Sequence, residues 1–291
     1  MNTVGAARLW AIEELRRAQA VSPELSADLL LGFVLGWARV RVLAHPEEPL
    51  SGSCAARFYD LVRRFAGGEP LQYLTGEQEF YGLSFRVTPE VLIPRPETEL
   101  LVEEAIRLMK ASLRSMPRFA DMGTGTGCIA VSVALAIPAS FGWAVDLSAP
   151  ALEIARENAA RHGVAGRIGF VRGDLLECFA RRPCFDFILS NPPYVARRDY
   201  DSLPSVVRDH EPHEALFGGE TGLEIYRRMI PEAAPRLMYG GYLLVELGAG
   251  QADQVGALVE SEGLLLERVL GDLQGIPRIL AARKPSRRID G

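Results

Sequence analysis

Apolar residues recur at helical spacing through the first 75 residues, with charged residues between them. Three helices follow from this spacing, with apolar positions Leu9, Ile12 and Leu15 in the first, Leu25, Leu29, Leu30, Phe33 and Val34 in the second, and Phe58, Leu61, Val62 and Phe65 in the third. Ser22 is expected to cap the second helix, since Pro23 then falls in its first turn. Residues 1–75 are therefore predicted to form a small helical domain.

The pattern changes over residues 76–99. Two short stretches, 79–81 and 83–85, are predicted to fold about Gly82, so that residues 76–92 form a β-hairpin linker. Pro94 and Pro96 make residues 93–99 a stiff loop, which as a rigid linker alone would have no chemical role. Pro96 is expected in the first turn of a helix that runs to about Ser115.

From residue 118 onward, short apolar strands alternate with helices. Strands are predicted at 118–122, 142–145, 167–171, 185–190 and 242–247, helices at 128–137, 149–162, 223–237 and 251–262, and a closing antiparallel hairpin at 267–270 and 278–282. Such alternation predicts an α/β fold with a doubly wound, mainly parallel, seven-stranded sheet. The main domain is predicted to cover residues 93–285, followed by a basic tail at 286–291.

Composition excludes several classes of protein. The net charge is -5 and the acids of residues 1–75 equal the arginines in number, so no basic surface for nucleic acid is indicated. The four cysteines form no C-x-x-C pair, which favours reduced thiols and the cytoplasm. The His210-Glu211-Pro212-His213 stretch is too short for a zinc-binding helix, so no metal is expected. The first residues lack the basic-then-apolar pattern of a signal peptide, and the longest apolar run, 29–38, is half the length needed to span a bilayer, so a soluble protein is expected.

A glycine-rich loop joins the first strand of the main domain to a helix. It reads Asp121-Met122-Gly123-Thr124-Gly125-Thr126-Gly127, with glycine at every second position. Such a loop lets the backbone pass close to a ligand and presents amides at a helix N-terminus. A G-x-G-x-x-G dinucleotide motif would need glycine in place of Cys128, and the spacing instead is similar to an S-adenosylmethionine loop. The alternative is a purely structural glycine turn.

Two acidic residues follow the next two predicted strands. Asp146 ends the second strand, where a carboxylate can accept hydrogen bonds from both hydroxyls of a ribose. It could instead cap the following helix, although Ser148 already suits that role. Asp174 ends the third strand and is placed to accept from an adenine amino group, or it is an ordinary turn residue.

The fourth strand ends in Asn191-Pro192-Pro193-Tyr194. Two prolines stop the strand and stiffen the turn at its carboxyl end, where open α/β sheets bind ligands. The Asn191 side chain and the Pro192 carbonyl offer acceptors, and Tyr194 offers a flat ring. This arrangement suits a planar group that carries an NH2, although a double proline can also be a plain strand stop.

These motifs, in this order, resemble the HemK/PrmC family, the protein-(glutamine-N5) methyltransferases that modify peptide-chain release factors. The resemblance covers nearly the whole chain and is carried by residues 93–99, 121–127, 146 and 191–194 and by Glu211-Pro212, Ala215-Leu216 and Gly218-Gly219. The Asn-Pro-Pro-Tyr motif also occurs in amino methyltransferases that act on DNA adenine. Residues 93–99 and the N-terminal helices are more specific to the release-factor family. The resemblance implies the Rossmann-like fold of class I S-adenosylmethionine-dependent methyltransferases.

The resemblance also implies a reaction, in which a methyl group passes from S-adenosyl-L-methionine to the N5 amide nitrogen of the glutamine in the Gly-Gly-Gln motif of class 1 release factors, leaving S-adenosyl-L-homocysteine. The residues expected to bind the cofactor are Gly123, Thr124, Gly125, Thr126, Gly127, Asp146, Asp174, Leu175 and Asn191. Asn191, Pro192, Pro193 and Tyr194 are expected to bind the substrate glutamine, and Asn191, Pro192 and Tyr194 to be catalytic. The position of Leu175 is often aromatic in this family. A cytoplasmic monomer that needs no nucleic acid, membrane or metal is expected, with residues 1–75 docking the protein substrate.

Two other functions fit parts of the pattern. An adenine-N6 methyltransferase acting on DNA or RNA would share the Asn191–Tyr194 motif, but base flipping and backbone binding favour a basic recognition module. A cofactor-binding scaffold that has lost catalysis would not need both Asp146 and Asn191. Release-factor glutamine methylation is the favoured hypothesis.

Overall fold

The computed structural model describes residues 3–286 and divides the chain into two compact units. The first unit holds the residues up to Glu77 together with Pro204–His210, and the second holds Gln78–Leu203 and the residues from Glu211 onward. The predicted basic tail at 286–291 lies outside the described residues except for Ser286. The predicted division into a docking domain, a linker and a catalytic domain stays a prediction, since compactness alone assigns no role.

The part of the first unit that precedes Glu77 is helical. Its helices are α1 (Val4–Arg17), α2 (Pro23–Leu35), α3 (Arg39–Ala44), α4 (Gly52–Ala66) and α5 (Leu71–Thr75). The three long helices are those predicted, whereas α3 and α5 were missed because a helix of one or two turns carries too little periodicity to recognise. Ser22 is the N-cap residue of α2 and Pro23 lies in the first turn, as predicted. The Ser22 backbone is left-handed, with φ 51°, and its side chain makes no capping hydrogen bond, so only its carbonyl contributes, by accepting from the Ser26 amide at 3.0 Å.

From Gln78 onward, the hairpin and the helix after it open the second unit, and only the first hairpin residue, Glu77, falls in the first. Strands β1 (Glu77–Phe80) and β2 (Leu83–Arg86) pair about a two-residue turn, with φ 54° at Tyr81 and 71° at Gly82, as hairpin turns of this length require. Helix α6 (Thr98–Ala111) ends before the predicted Ser115, because Ser112 adopts an extended conformation. Pro96 precedes this helix instead of lying in its first turn.

Strands and helices then alternate as predicted. The elements are β3 (Arg118–Met122), α7 (Cys128–Ala136), β4 (Phe141–Asp146), α8 (Ala149–Arg161), β5 (Ile168–Arg172), β6 (Phe185–Ser190), α9 (Arg197–Tyr200), α10 (Ser205–Arg208), α11 (His213–Leu216), α12 (Glu224–Arg236), β7 (Leu237–Glu246), α13 (Ala252–Ser261), β8 (Leu265–Gly271) and β9 (Pro277–Arg283). Of these, α10 belongs to the first unit. Strand β7 begins at Leu237, well before the predicted start at Tyr242, directly after α12.

The seven strands from β3 to β9 form one sheet in the order β5-β4-β3-β6-β7-β9-β8. Every neighbouring pair is parallel except those of β9, which runs antiparallel to both β7 and β8. The predicted mainly parallel, doubly wound sheet with a closing antiparallel hairpin is therefore confirmed. The chain order reverses between β3 and β6, so the carboxyl ends of these two strands flank the crevice where such sheets bind ligands.

Helices cover both faces of the sheet. Buried side chains of α6 and α7 pack on one face with Phe187 and Leu189 of β6, and those of α12 and α13 pack on the other with Phe185 and Ile188. Every residue of β6 is buried, as its apolar run predicted. The turn after β6 thus starts from a fully buried strand in the middle of the sheet.

Candidate active site

The glycine loop after β3 adopts a conformation that only glycine takes easily. The φ angles are 67° at Gly123, 52° at Gly125 and 78° at Gly127, all left-handed. A Cβ at Gly127 would lie 3.1 Å from the Ala155 Cβ of α8, so this glycine allows close packing. A Cβ at Gly123 or Gly125 would meet nothing within 4 Å, which leaves open space above the loop. The loop is shaped to pass beneath a ligand.

The loop is held from below by Asp121, which the prediction of cofactor residues did not include. Asp121 Oδ2 accepts from the Thr124 hydroxyl at 2.6 Å and from the Ala130 amide in α7 at 3.2 Å. The side chain is completely buried, and burial raises the pKa of Asp121 to about 7. Its Oδ1 has no hydrogen-bond partner within residues 3–286.

The raised pKa makes stability depend on pH in a defined direction. The pKa of Asp121 in the folded protein lies above its ordinary value of 3.8. The contribution of Asp121 to the free energy of unfolding is therefore complete below pH 3.8 and is lost as the pH rises through about 7. Between pH 5 and pH 8, the free energy of unfolding of wild type should therefore fall relative to Asp121→Asn, by about 3 kcal/mol. Urea unfolding at both pH values measures this difference. Asp253→Asn, at an exposed position of α13, is the control, and equal pH dependence in all three proteins would contradict the prediction.

Asp146, at the end of β4, lies beside the same loop. Its Oδ2 accepts from the Gly125 amide at 2.9 Å and its Oδ1 from the Ser148 amide at 2.9 Å. The Ser148 hydroxyl caps α8 by accepting from the Ala151 amide, as predicted. Burial raises the pKa of Asp146. The structure thus brings Asp146 and the glycine loop together, and a role in binding ribose stays a prediction.

Asp174 lies two residues beyond the end of β5. The Gly173 amide donates to the Asp146 carbonyl at 3.0 Å, so this turn runs beside the end of β4. Asp174 Oδ2 accepts from Arg228 at 2.7 Å, and its side chain is 40% exposed. Leu175 has a left-handed backbone, with φ 51°, and its side chain packs on the core below α12 and α13. Contact of either residue with an adenine stays a prediction.

The Asn191–Tyr194 turn starts next to the glycine loop. Met122 and Ser190 are paired in the sheet, and the Ser190 hydroxyl donates to the Met122 carbonyl at 2.8 Å. Gly123 and Asn191 are the next residues along the two strands, one on each side of the crevice. The two motifs that the sequence singled out are thus adjacent in space, which is the arrangement a transfer between two bound molecules requires.

Three glycines pack directly against this turn. A Cβ at Gly218 would lie 2.7 Å from the Pro193 carbonyl oxygen, and one at Gly248 would lie 3.0 Å from the Tyr194 ring. A Cβ at Gly222 would clash with the Tyr194 carbonyl oxygen. Nothing in the local sequence indicates that these glycines meet the turn, because the contacts join distant parts of the chain. They hold the turn in one position.

A chain of hydrogen bonds connects the turn to two residues that sequence reasoning missed. Asn191 Nδ2 donates to the Thr98 hydroxyl oxygen at 3.0 Å, and the Thr98 hydroxyl donates to Glu246 Oε2 at 2.6 Å. The Tyr194 hydroxyl lies 3.4 Å from Glu246 Oε1. Burial raises the pKa of Glu246 to about 7 and also raises the pKa of Tyr194. The one acid within the apolar stretch 243–247 was the available signal for Glu246.

Residues 93–99 are anchored within the second unit by Glu211. Its Oε2 accepts from the Ile93 amide at 3.2 Å, and its Oε1 pairs with Arg95 at 2.6 Å. Glu211 is buried, so this ion pair is shielded from solvent on one side. The stretch therefore does more than link two elements, because it places Thr98 at the start of α6 beside Asn191.

Within residues 3–286, no group of three or more His, Cys, Asp or Glu side chains is placed to hold a metal ion. Of the described helices, none has both the length and the apolar character needed to cross a membrane.

Two family models match the sequence. The one described as PrmC N-terminal domain matches residues 6–76, and the one described as methyltransferase small domain matches residues 98–208. A methyltransferase structure from Pyrococcus furiosus aligns over 81% of this chain and 100% of that one, with a TM-score of 0.52 and 18% identity, which shows a shared fold alone. The sheet order, the glycine loop and these matches define a Rossmann-like methyltransferase.

Proteins named release factor glutamine methyltransferase are similar over nearly the full length. The relative from Koribacter versatilis (strain Ellin345) is 42% identical over 95% of this chain and 96% of its own. The relative from Nitratidesulfovibrio vulgaris is 43% identical over 94% of this chain and 92% of its own. The chain belongs to the release factor glutamine methyltransferase family, which confirms the resemblance stated from the sequence.

Proposed function

We propose that the protein transfers a methyl group from S-adenosyl-L-methionine to the side-chain amide nitrogen of the glutamine in the Gly-Gly-Gln motif of class 1 release factors. The observation that carries this proposal is the adjacency of the glycine loop and the Asn191–Tyr194 turn where the strand order reverses. The first motif suits the methyl donor and the second suits a planar amide. The names of the relatives support the same substrate.

The residues present fit the methyl donor. Open space lies above Gly123 and Gly125, and the Asp146 carboxylate at the next strand end has acceptor capacity beyond its two backbone partners. Asp121 Oδ1, buried beneath the loop and without a partner among residues 3–286, adds negative charge above the Asp121 pKa of about 7, and that charge favours a cationic ligand. When bound, S-adenosylmethionine supplies a methyl group activated on sulfur and departs as the neutral thioether S-adenosylhomocysteine.

The substrate nitrogen is a poor nucleophile, because its lone pair is delocalised into the amide carbonyl. As it attacks the methyl carbon, it becomes pyramidal and positive, and it afterwards releases one proton to solvent. Acceptors that bind the NH2 more strongly in this state than in the ground state therefore accelerate the reaction. Asn191 donates its own NH2 to Thr98, so its Oδ1 is the acceptor left for the substrate, together with the Pro192 carbonyl. Tyr194 would pack against the amide plane and align the lone pair.

A direct test is to incubate the protein with isotope-labelled S-adenosylmethionine and a purified class 1 release factor, then map the label by peptide mass spectrometry. We expect one methyl group on the glutamine of the Gly-Gly-Gln motif. A release factor with that glutamine replaced by asparagine is the negative control. Adenine-containing DNA and RNA oligonucleotides are tested in parallel, and label on adenine with none on the release factor would favour the other methyltransferase hypothesis.

The helical residues of the first unit are proposed to dock the release factor, with the protein acting as a cytoplasmic monomer. Helix α2 exposes three apolar side chains at four-residue spacing, with Leu25 41%, Leu29 38% and Phe33 36% exposed. Four-residue spacing places these side chains on one face of the helix, and exposed apolar side chains on one face are typical of a protein-binding surface.

Substitution on α2 tests this docking role. Leu25→Glu with Leu29→Glu should raise KM for intact release factor about tenfold or more, as expected for loss of buried interface side chains. It should leave kcat and the reaction with a short Gly-Gly-Gln peptide unchanged. Leu273→Glu, at a fully exposed position in the β8–β9 turn, makes the same chemical change elsewhere. Unchanged KM in the α2 variant would remove this face from the docking surface.

A further inference from the structure

We propose that Thr98 and Glu246 are positioning residues that determine which end of the Asn191 carboxamide faces the substrate. The two residues come from the start of α6 and the end of β7, and both are almost completely buried. The inference rests on the proposed function, since the group to be oriented is the acceptor for the substrate amide.

The direction of the hydrogen bonds follows from the chemistry of their ends. An ionised carboxylate only accepts, so with Glu246 ionised the single hydroxyl hydrogen of Thr98 must point at Glu246 Oε2. The Thr98 oxygen can then only accept from Asn191, which must present its NH2 to it. The carbonyl oxygen of Asn191 is consequently turned the other way. One buried charge thus specifies the orientation of an amide that has no preference of its own.

Glu246 is held where its charge is poorly solvated. The charged or titratable groups that act on it or respond to it are Glu97, Arg278, Tyr194, Tyr226 and Cys128. Burial is the largest cause of the pKa of about 7, and Glu97 raises it further. Hydrogen bonds from the Thr98 and Tyr194 hydroxyls and the positive charge of Arg278 lower the pKa of Glu246 but do not return it to the ordinary value. The backbone carbonyl of Glu246 accepts from the Tyr226 hydroxyl at 2.7 Å, which fixes the end of β7.

Protonation of Glu246 reverses the direction of the hydrogen bonds that link it through Thr98 to Asn191. A carboxyl hydrogen on Oε2 can donate to the Thr98 oxygen, and the Thr98 hydroxyl then donates to Asn191. The carboxamide must turn over to accept that bond, which leaves its NH2 facing the substrate NH2, donor against donor. The ionised form is therefore the active one, and kcat should fall as pH is lowered through about 7.

Two substitutions at Thr98 distinguish the effect of its hydroxyl group from the effect of its size and shape. Thr98→Val keeps the shape and removes the hydroxyl, and we expect kcat to fall about 10²-fold with unchanged affinity for S-adenosylmethionine, as for other losses of reactant alignment. Thr98→Ser keeps the hydroxyl and should retain most of the activity. Glu246→Gln should lower kcat and abolish its fall at low pH. Equal kcat in the valine and serine variants would overturn the role of Thr98.

Exchanging the carboxylate of Glu246 and the carboxamide of Asn191 tests the direction of the hydrogen bonds between them. In Asn191→Asp combined with Glu246→Gln, the glutamine NH2 can donate to Thr98 and its oxygen can accept from Tyr194. The Thr98 hydroxyl can then donate to the new aspartate, so every hydrogen bond is kept with the chain reversed. The double variant should be more active than Asn191→Asp alone. If the loss of activity in the double variant equals the sum of the losses in the two single variants, the proposed direction of the hydrogen bonds is wrong.

Nuclear magnetic resonance gives a readout that does not require activity. In the wild-type protein, the side-chain NH2 signals of Asn191 should shift with the same apparent pKa as the Glu246 carboxyl. That coupling should vanish in Thr98→Val and persist in Thr98→Ser. An Asn191 signal that ignores the titration of Glu246 would overturn the inference even if release factor is methylated. If Asn191 and Glu246 titrate together but release factor is not methylated, the hydrogen-bonded connection through Thr98 is supported and the proposed function is rejected.

Discussion

Asp146→Ala is expected to weaken the binding of S-adenosylmethionine by about 1.5–3 kcal/mol, which corresponds to roughly 10- to 150-fold in affinity. The carboxylate joins the end of β4 to the glycine loop through its bonds to the Gly125 and Ser148 amides. Its removal leaves both amides without that acceptor and frees the loop. It also removes the acceptor proposed for the ribose hydroxyls. Both effects lower the affinity for the cofactor.

Calorimetric titration with S-adenosylmethionine and with S-adenosylhomocysteine measures this effect. Asp146→Asn is the matched variant, because it keeps one acceptor oxygen and the size of the side chain, and its loss should be smaller. Asp174→Ala, at a half-exposed position paired with Arg228, is the comparison at the next strand end. Affinity in Asp146→Ala equal to that of wild type would remove Asp146 from the cofactor site.

Much of the fold follows from local sequence because secondary structure leaves a periodic signal. The apolar stretch 185–190 predicted a strand buried on both faces, and all six of its residues are buried. The glycine loop and Asp146 were recognised for the same reason, since the loop directly follows β3 and Asp146 is the last residue of β4. Parallel strands in a doubly wound sheet bring their carboxyl ends to one edge, so such residues meet without further information.

The remaining features depend on contacts between distant parts of the chain. Thr98 lies 93 positions from Asn191 and 148 from Glu246, and no pattern around Thr98 indicates either partner. The packing of Gly218 against Pro193 is equally non-local. Short elements fail for a different reason, since α5 has only five residues and shows no period. Ser22 occupies the predicted N-cap position, but its side chain does not bond to α2, and the left-handed backbone behind this is not revealed by a single residue's propensity.

Asn191→Ala is expected to lower the single-turnover rate of methyl transfer by about 10²–10³, the cost of losing one preorganised hydrogen-bonding partner. Affinity for S-adenosylmethionine should change little. The alternative is that Asn191 merely anchors the proline turn, in which case thermal stability and rate would fall together. Other contacts already hold that turn, because Gln251 Nε2 donates to the Tyr194 carbonyl at 3.1 Å and the Gly218 amide donates to Val195. Asn191→Ala should therefore melt close to wild type.

Gln251→Ala is the control for the anchoring alternative. It removes the hydrogen bonds to the carbonyls of Tyr194 and Gly222 but leaves the Asn191 acceptor in place. Its melting temperature and its rate should fall together, which is the signature that Asn191→Ala should lack. Melting curves recorded beside single-turnover methylation of release factor compare the two variants directly.

Asn191→Asp tests the acceptor oxygen of the Asn191 side chain apart from its NH2 group. The carboxylate keeps an oxygen that can support a positive, pyramidal nitrogen, so partial activity should survive where Asn191→Ala has almost none. It loses the NH2 that Thr98 accepts and places a second negative charge near Glu246, so one of the two carboxyls should take up a proton more readily than in wild type. Its rate should accordingly lie between those of wild type and Asn191→Ala. Equal rates for wild type and Asn191→Ala in single-turnover measurements would end the catalytic role of Asn191.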